Sequence, residues 1–399
     1  MNSLIRSTGV KSVFSGQNEK GERSDCKVTF SLKKSNGIHI EINSKVALLY
    51  GESIRATCLS VAEYFSVENA DIAVDDSGAP DYVIMARLEA CIKKVLKTDK
   101  EYLPPQLISN TKGSAKDRLR RSRLYLPGNT PKLAINAGLH SGDGIILDLE
   151  DSVAPDRKDE ARILVRNTLR TVEFYGAERM VRINQGERGL LDLDAVVPQH
   201  ANVILLPKCE NAEQVQVTDA RIQSLRRVHG IEHDVWIMPI IESAMGVMRA
   251  FDIAGASPNI IALAIGLEDY TADIGVARTA EGTESYFARA TVVNAAKAHG
   301  IQAIDSVFSD VSDMEALRKN VLASKGLGFD GMGCIHPRQI KVIHEAFTPT
   351  AEEIDKARKI VEAFREAEKM GLGVVAVGSK MIDPPVVKRA LRVMELAEK

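Results

Sequence analysis

The chain has 399 residues, of which 45% are hydrophobic and 27% charged, which is enough for a sizeable core and too many for one small domain. A formal net charge of −2 and only 5% aromatic residues argue against nucleic acid or an anionic membrane as the main partner. The five cysteines are scattered without metal-ligand spacing, and no apolar run has the length of a membrane span or the form of a secretory signal, so a cytoplasmic protein is expected.

The first hundred residues read as a small α+β unit. CKVTFSL (26 to 32) and IHIEI (38 to 42) alternate apolar and polar side chains, as half-buried strands do. The short KSNG turn between them predicts a hairpin. ESIRATCLSVAEYF recurs at helical spacing, ADIAVDDSGAPD gives a strand and a turn, and YVIMARLEACIKKVL closes the unit as an amphipathic helix. A polar stretch with Pro104, Pro105 and Gly113 follows and reads as a linker over residues 98 to 117.

Beyond it the rhythm changes. Eight short apolar runs begin at RLYLPG, GIILDL, MVRIN, VILLPK, VWIMPIIE, IIALAIG, IQAID and GMGCI. Helical patterns such as PKLAINAGL, KDEARILVRNTLR and SYFARATVVNAAKAHG separate them. Continuous apolar strands alternating with helices imply a parallel sheet covered by helices. Eight repeats predict a (β/α)₈ TIM barrel, with a doubly wound open sheet as the competing arrangement. No glycine-rich dinucleotide fingerprint follows the first strand.

Polar residues gather at the strand ends. Arg121 precedes the first run; Asp148, Glu150 and Asp151 end the second; Arg182 and Asn184 lie on the third. Lys208, Glu242, Glu268 with Asp269, Asp305 and His336 end the others. In a barrel these ends share one mouth, where active sites are built. Carboxylates without clustered His and Cys suit a hard cation such as Mg²⁺. Arginines beside them suit a carboxylate substrate. Together they outline C–C bond chemistry next to a carbonyl, with the metal as Lewis acid.

RSRLYLPGNTPK, GIILDLEDSVAPDRKDEAR, VRIN, LLPK, PIIESAMGV, GLEDYTADIG and GFDGMGCIHPRQI, in this order, resemble the citrate lyase β-subunit family over residues 118 to 398. That family belongs to the Mg²⁺-dependent citryl-, malyl- and citramalyl-thioester lyases. The resemblance implies a TIM barrel assembled as trimers or hexamers. It implies metal ligands at Glu242 and Asp269, a substrate-carboxylate arginine at Arg182 and a second site arginine at Arg121. With the metal ligands so placed, Asp148 and Glu150 read as support, orienting arginines or metal-bound waters. KMIDPPVVKRA resembles the family's lid, which reaches a neighbouring subunit's site and makes Asp383 the acid/base. From the residues alone Asp383 also reads as the cap of a proline-led helix.

Residues 20 to 97 resemble the citrate lyase γ-subunit, an acyl carrier protein, so carrier and lyase stand fused in one chain. The family's carrier bears a phosphoribosyl-dephospho-CoA arm on the serine of a Ser-Gly-Asp stretch. Here that stretch reads GERSDCKVTF, with Arg23 at the serine position. Either Ser24 is the attachment site or the arm is absent. The function implied is Mg²⁺-dependent cleavage of a citryl thioester to oxaloacetate and an acetyl thioester, with an α-subunit-like transferase as a possible partner. The alternatives are a malyl-CoA or citramalyl-CoA lyase with a vestigial carrier domain, or a non-catalytic assembly subunit.

Overall fold

The computed structural model describes residues 12–18, 23–369, 374–377 and 380–398. The N-terminal part comprises β1 (Ser12–Ser15), β2 (Cys26–Leu32), β3 (Ile38–Ser44), α1 (Ala47–Tyr64), β4 (Ala70–Asp76) and α2 (Asp81–Val95). Its sheet runs β1-β2-β4-β3, so the hairpin expected from β2 and β3 does not form. β4 lies between them, antiparallel to β2 and parallel to β3. The KSNG segment takes left-handed φ at Asn36 (81°) and Gly37 (68°). The Gly37 N–H donates to Asn69 Oδ1 at 2.8 Å, which leads the chain past the end of β4. A parallel β3–β4 pair needs a crossover, and α1 supplies it. Ala70, Ile72 and Val74 alternate onto the face covered by the helices, where Cys58, Val61, Ile84 and Leu88 are buried.

The second part closes into the expected barrel, which excludes the open sheet. Its strands are β5 (Ser122–Pro127), β6 (Gly144–Asp148), β7 (Glu178–Arg182), β8 (Val203–Leu206), β9 (Trp236–Ile241), β10 (Ala262–Ile265), β11 (Gln302–Asp305) and β12 (Gly331–Cys334). All neighbours pair in parallel, and β12 returns to β5. Ile146, Met180, Leu205, Met238 and Ile304 fill the interior, while the alternate residues pack outward against the helices. These outward positions explain the near-continuous apolar runs.

The helices are α3 (Pro131–Ala134), α4 (Lys158–Thr171), α5 (Gly186–Val196), α6 (Ala212–His229), α7 (Ala244–Met248), α8 (Ala250–Ala254), α9 (Leu267–Asp273), α10 (Tyr286–Ala298), α11 (Met314–Leu327) and α12 (Pro337–Phe347). Local chemistry sets several boundaries. Asn211 and Gln214 form a reciprocal capping box at α6, and Gly230 ends that helix at φ 64°. PKLAINAGL yields only the single turn α3 and a 3-10 turn, so the flank after β5 is thinly covered.

Two further contacts shape the molecule. α2 lies along α4 through ion pairs shut off from water. Arg166 grips Glu89 with Nη1–Oε1 at 2.8 Å and Nη2–Oε2 at 2.6 Å. Arg87 holds Asp25 through Nε at 3.0 Å and Nη2 at 2.8 Å, and its Nη2 also donates to the Asn129 carbonyl at 3.0 Å. At the other end, α13 (Ala351–Lys369), β13 (Val375–Val377), β14 (Lys380–Ile382) and α14 (Pro384–Glu398) fold as a hairpin. Its core of Ala357, Val361, Phe364, Ile382 and Val387 is separate from the core of the barrel.

Candidate active site

The register places Pro127, Asp148 and Arg182 side by side on β5, β6 and β7. Asp148 receives Arg182 Nε at 2.7 Å and Nη2 at 2.8 Å. It also accepts the Glu150 N–H at 2.9 Å and the Ser152 N–H at 3.2 Å. Burial pushes the Asp148 carboxyl up, but the paired guanidinium and the amides hold it below the usual carboxylate range. Burial likewise opposes the charge on Arg182, and Asp148 outweighs it, raising that arginine above its ordinary value. The Arg182 guanidinium lies 5.4 Å over the Tyr125 ring, and its Nη1 lies 3.2 Å from Glu150 Oε2. Glu150 Oε1 in turn takes Lys208 Nζ at 2.9 Å and Gln185 Nε2 at 3.1 Å. The acids after β6 therefore aim Arg182 and Lys208 toward the mouth.

Glu242 follows β9 and Asp269 lies in the first turn of α9. Glu242 is buried, and its Oε2 accepts the Lys208 N–H at 2.8 Å. Lys208 presents that N–H from a left-handed conformation, φ 47°. Glu242 Oε1 has no donor among the described residues and overlies Gly266, where a Cβ would stand 2.5 Å away. Burial pushes the Glu242 carboxyl up to about 7, against the Lys208 N–H and Arg182 and aided by Asp269 and Glu150. Such a carboxylate, short of donors and crowded by like charge, fits a cation ligand. Asp269 lies 3.9 Å from Lys208 Nζ and is open to solvent. Among the described residues no group of three or more His, Cys, Asp and Glu converges on one point. Two carboxylates, with water and substrate oxygens completing the shell, suit Mg²⁺.

A cavity of about 1420 Å³ joins Arg182, Glu242, Asp269, Asp305 and Tyr125. Other expected residues lie elsewhere. Arg121 precedes β5 and so belongs to the N-terminal end of the barrel. There it pairs with Asp143 through Nε at 2.9 Å and Nη2 at 2.9 Å. It is not brought to the mouth; the arginine of this segment that lines the cavity is Arg123. Sequence reasoning missed Arg123, although it alternates with Tyr125 on the inward face of β5. Asp383 sits on the C-terminal hairpin, where Oδ1 accepts the Val386 N–H at 3.2 Å, and it does not line the cavity of its own chain. Ser24 takes φ 58° and donates its N–H to the Ser77 carbonyl at 3.0 Å. The adjacent Asp25 joins it, through Arg87, to Asn129 in the loop after β5. Cys209 and Cys334 are buried with thiols pushed up to about 12 by burial, and the His336 side chain caps α12.

Fold, mouth and relatives together make the chain a carbon–carbon lyase on a (β/α)₈ barrel. The profile described as HpcH/HpaI aldolase/citrate lyase matches residues 121–337, and the chain belongs to that family. An acyl-carrier profile described as malonate decarboxylase delta subunit matches residues 18–95, in accord with the carrier resemblance. Citrate lyase subunit beta of Haemophilus influenzae is 40% identical over 284 residues, covering 70% of this chain and 98% of that protein. Mitochondrial citramalyl-CoA lyase of Rattus norvegicus is 33% identical, covering 70% of this chain and 86% of that one. Among solved structures, CitE of Mycobacterium tuberculosis with magnesium, acetoacetate and coenzyme A aligns with TM-score 0.60 and 30% identity, covering 71% of this chain and all of that one.

Proposed function

We propose that the chain is a cytoplasmic Mg²⁺-dependent lyase that cleaves a citryl-type acyl thioester to oxaloacetate and an acetyl thioester. Residues 1–97 form the carrier-like part, 98–117 the connection, and 118–399 the lyase barrel with its lid. The observation that carries this reading is the buried Glu242 facing Arg182 across one cavity, with a carboxylate oxygen free for a cation. Glu242 and Asp269 would hold Mg²⁺, which would supply Lewis acidity to a bound hydroxy acid. Arg182, locked by Asp148, clamps that carboxylate. Asp383 from a neighbouring copy in a trimer or hexamer takes the hydroxyl proton. The C–C bond then breaks, its electrons pass to the thioester as an enolate, and an acid returns a proton to carbon.

The acyl group arrives on CoA or on an arm at Ser24, and in the second case an α-subunit-like transferase reloads it. The similarity to citramalyl-CoA lyase supports a second reading, in which the oxo acid is smaller and the carrier domain is vestigial. Turnover of citryl-, malyl- and citramalyl-CoA with Mg²⁺ tests both. Citryl-CoA is expected to be cleaved fastest, with Glu242→Gln and Asp269→Asn each losing at least about 100-fold. Full activity in either variant would remove the metal assignment. Intact mass of the natively expressed protein tests the arm on Ser24.

A further inference from the structure

The barrel interior holds a cation that the proposed reaction leaves unused. Arg123 points inward from β5, two residues below Tyr125, and only 1% of its surface is exposed. Its register neighbours on both sides are glycines, Gly144 on β6 and Gly333 on β12. Those glycines make room for a long side chain in a layer otherwise built of Met180, Met238 and Ile304. Arg123 Nη1 meets only the Met238 thioether, at 2.9 Å, and its Nε has no hydrogen-bond partner. Among the described residues no carboxylate pairs with it. Glu178, which acts on it electrostatically, is already held by Arg120 at 2.7 and 2.8 Å and by Ser114 at 2.5 Å.

An arginine cannot escape burial by shedding its proton near neutral pH, as a lysine can. A buried guanidinium with an unmet N–H is therefore a standing demand for an anion. Arg123 and Gly333 line the same cavity as Arg182 and Glu242, so the guanidinium borders the space a ligand would occupy. Tyr125, beneath Arg182, stands between the two cations on the inner wall.

We infer that Arg123 is a specificity-determining residue that receives the far carboxylate of a dicarboxylic 2-oxo acid, while Arg182 and the Glu242–Asp269 pair hold the near end. This rests on the lyase reading and deepens it. A citryl group carries a carboxymethyl arm that can reach inward to such a floor. The oxo-acid halves of malyl and citramalyl thioesters, glyoxylate and pyruvate, carry no second carboxylate to place there. The citryl reading is thereby favoured over the smaller ones.

Binding of oxaloacetate and of pyruvate to the full-length protein with Mg²⁺, by calorimetry, tests the assignment. Wild type is expected to bind oxaloacetate at least about tenfold more tightly than pyruvate. Arg123→Met should reduce oxaloacetate affinity to the level of pyruvate and leave pyruvate within about twofold. Its thermal midpoint should not fall, because an unpaired buried charge has been exchanged for a side chain that matches Met180 and Met238. Arg123→Lys, which keeps a charge, should retain part of the preference. Equal loss of both acids in Arg123→Met, or no change in either, overturns the role of Arg123. Pyruvate binding without any preference for oxaloacetate in wild type also overturns it, and leaves the lyase reading standing. Failure of wild type to bind either acid overturns both.

Discussion

At the residue scale, charge is settled by pairing. Asp148 engages Nε and Nη2 of Arg182, so the mouth presents a guanidinium of fixed direction rather than a mobile charge. His200 shows the opposite case, a group kept neutral. Its Nδ1 lies 3.0 Å from His233 Nε2, and its own carbonyl accepts from Arg179 Nη2 at 3.0 Å. Burial first, then His233, Arg179 and Arg170, lower its pKa to about 4. A histidine depressed in this way favours the fold above its unfolded value of about 6.5 and loses that contribution as pH falls toward 4. After discounting for solvent screening, about 1–2 kcal/mol is at stake. His200→Asn, which tolerates the left-handed φ of 60°, should lose less unfolding free energy than wild type between pH 7 and pH 4.5. Urea unfolding at the two pH values checks this, and equal losses would contradict it. The strand-end acids were legible in the sequence because apolar runs stop abruptly at them. Arg121 was misread because a residue before a strand lies at the opposite end of the barrel from one after it. Two positions along the chain separate the Arg121–Asp143 salt bridge from the internal cation Arg123.

At the element scale, helix and strand identities followed from periodicity, while pairing partners did not. The β2–β3 hairpin looked local, yet β4 took the central place, pairing with both strands while α1 makes the crossover from β3. Nothing in a short window reports that competition. The packing of α2 on α4 was equally hidden, since Glu89 and Arg166 read as ordinary charged positions on two amphipathic helices. Buried and bidentate, they are not ordinary. Removing Arg166 leaves the buried Glu89, among the described residues, with only Lys93 and the Tyr102 N–H, each at 3.2 Å. Arg166→Met should therefore destabilise the protein by about 3–5 kcal/mol, and Glu89→Gln combined with it should restore much of the loss. Denaturant titrations of the single and double variants check the coupling; additive losses would sink it.

At the scale of the whole molecule, the chain is a carrier-like unit fixed to a barrel, followed by a hairpin with its own core. The hairpin meets the barrel through contacts such as Lys325 with Glu353 at 3.6 Å and Arg392 with Asp330 at 3.9 Å, both partly exposed. Deleting residues 351–399 should leave the barrel's unfolding midpoint nearly unchanged while abolishing turnover. Mixing inactive Asp383→Asn and Glu242→Gln chains should regain activity if Asp383 serves a neighbouring mouth, and stay inactive if it serves its own. The lid resemblance pointed to a distinct C-terminal segment, but the separateness of its core was not legible in sequence.

The grip of α2 on α4 has a consequence for transport. A carrier on a slack leash searches a volume, and its success depends on leash length. Here the origin is pinned beside the loop that leaves β5, so any pendant group sweeps a fixed arc. Lengthening the segment between the two parts would change little while the helix contact holds. Loosening the contact would change the arc of any such group at once.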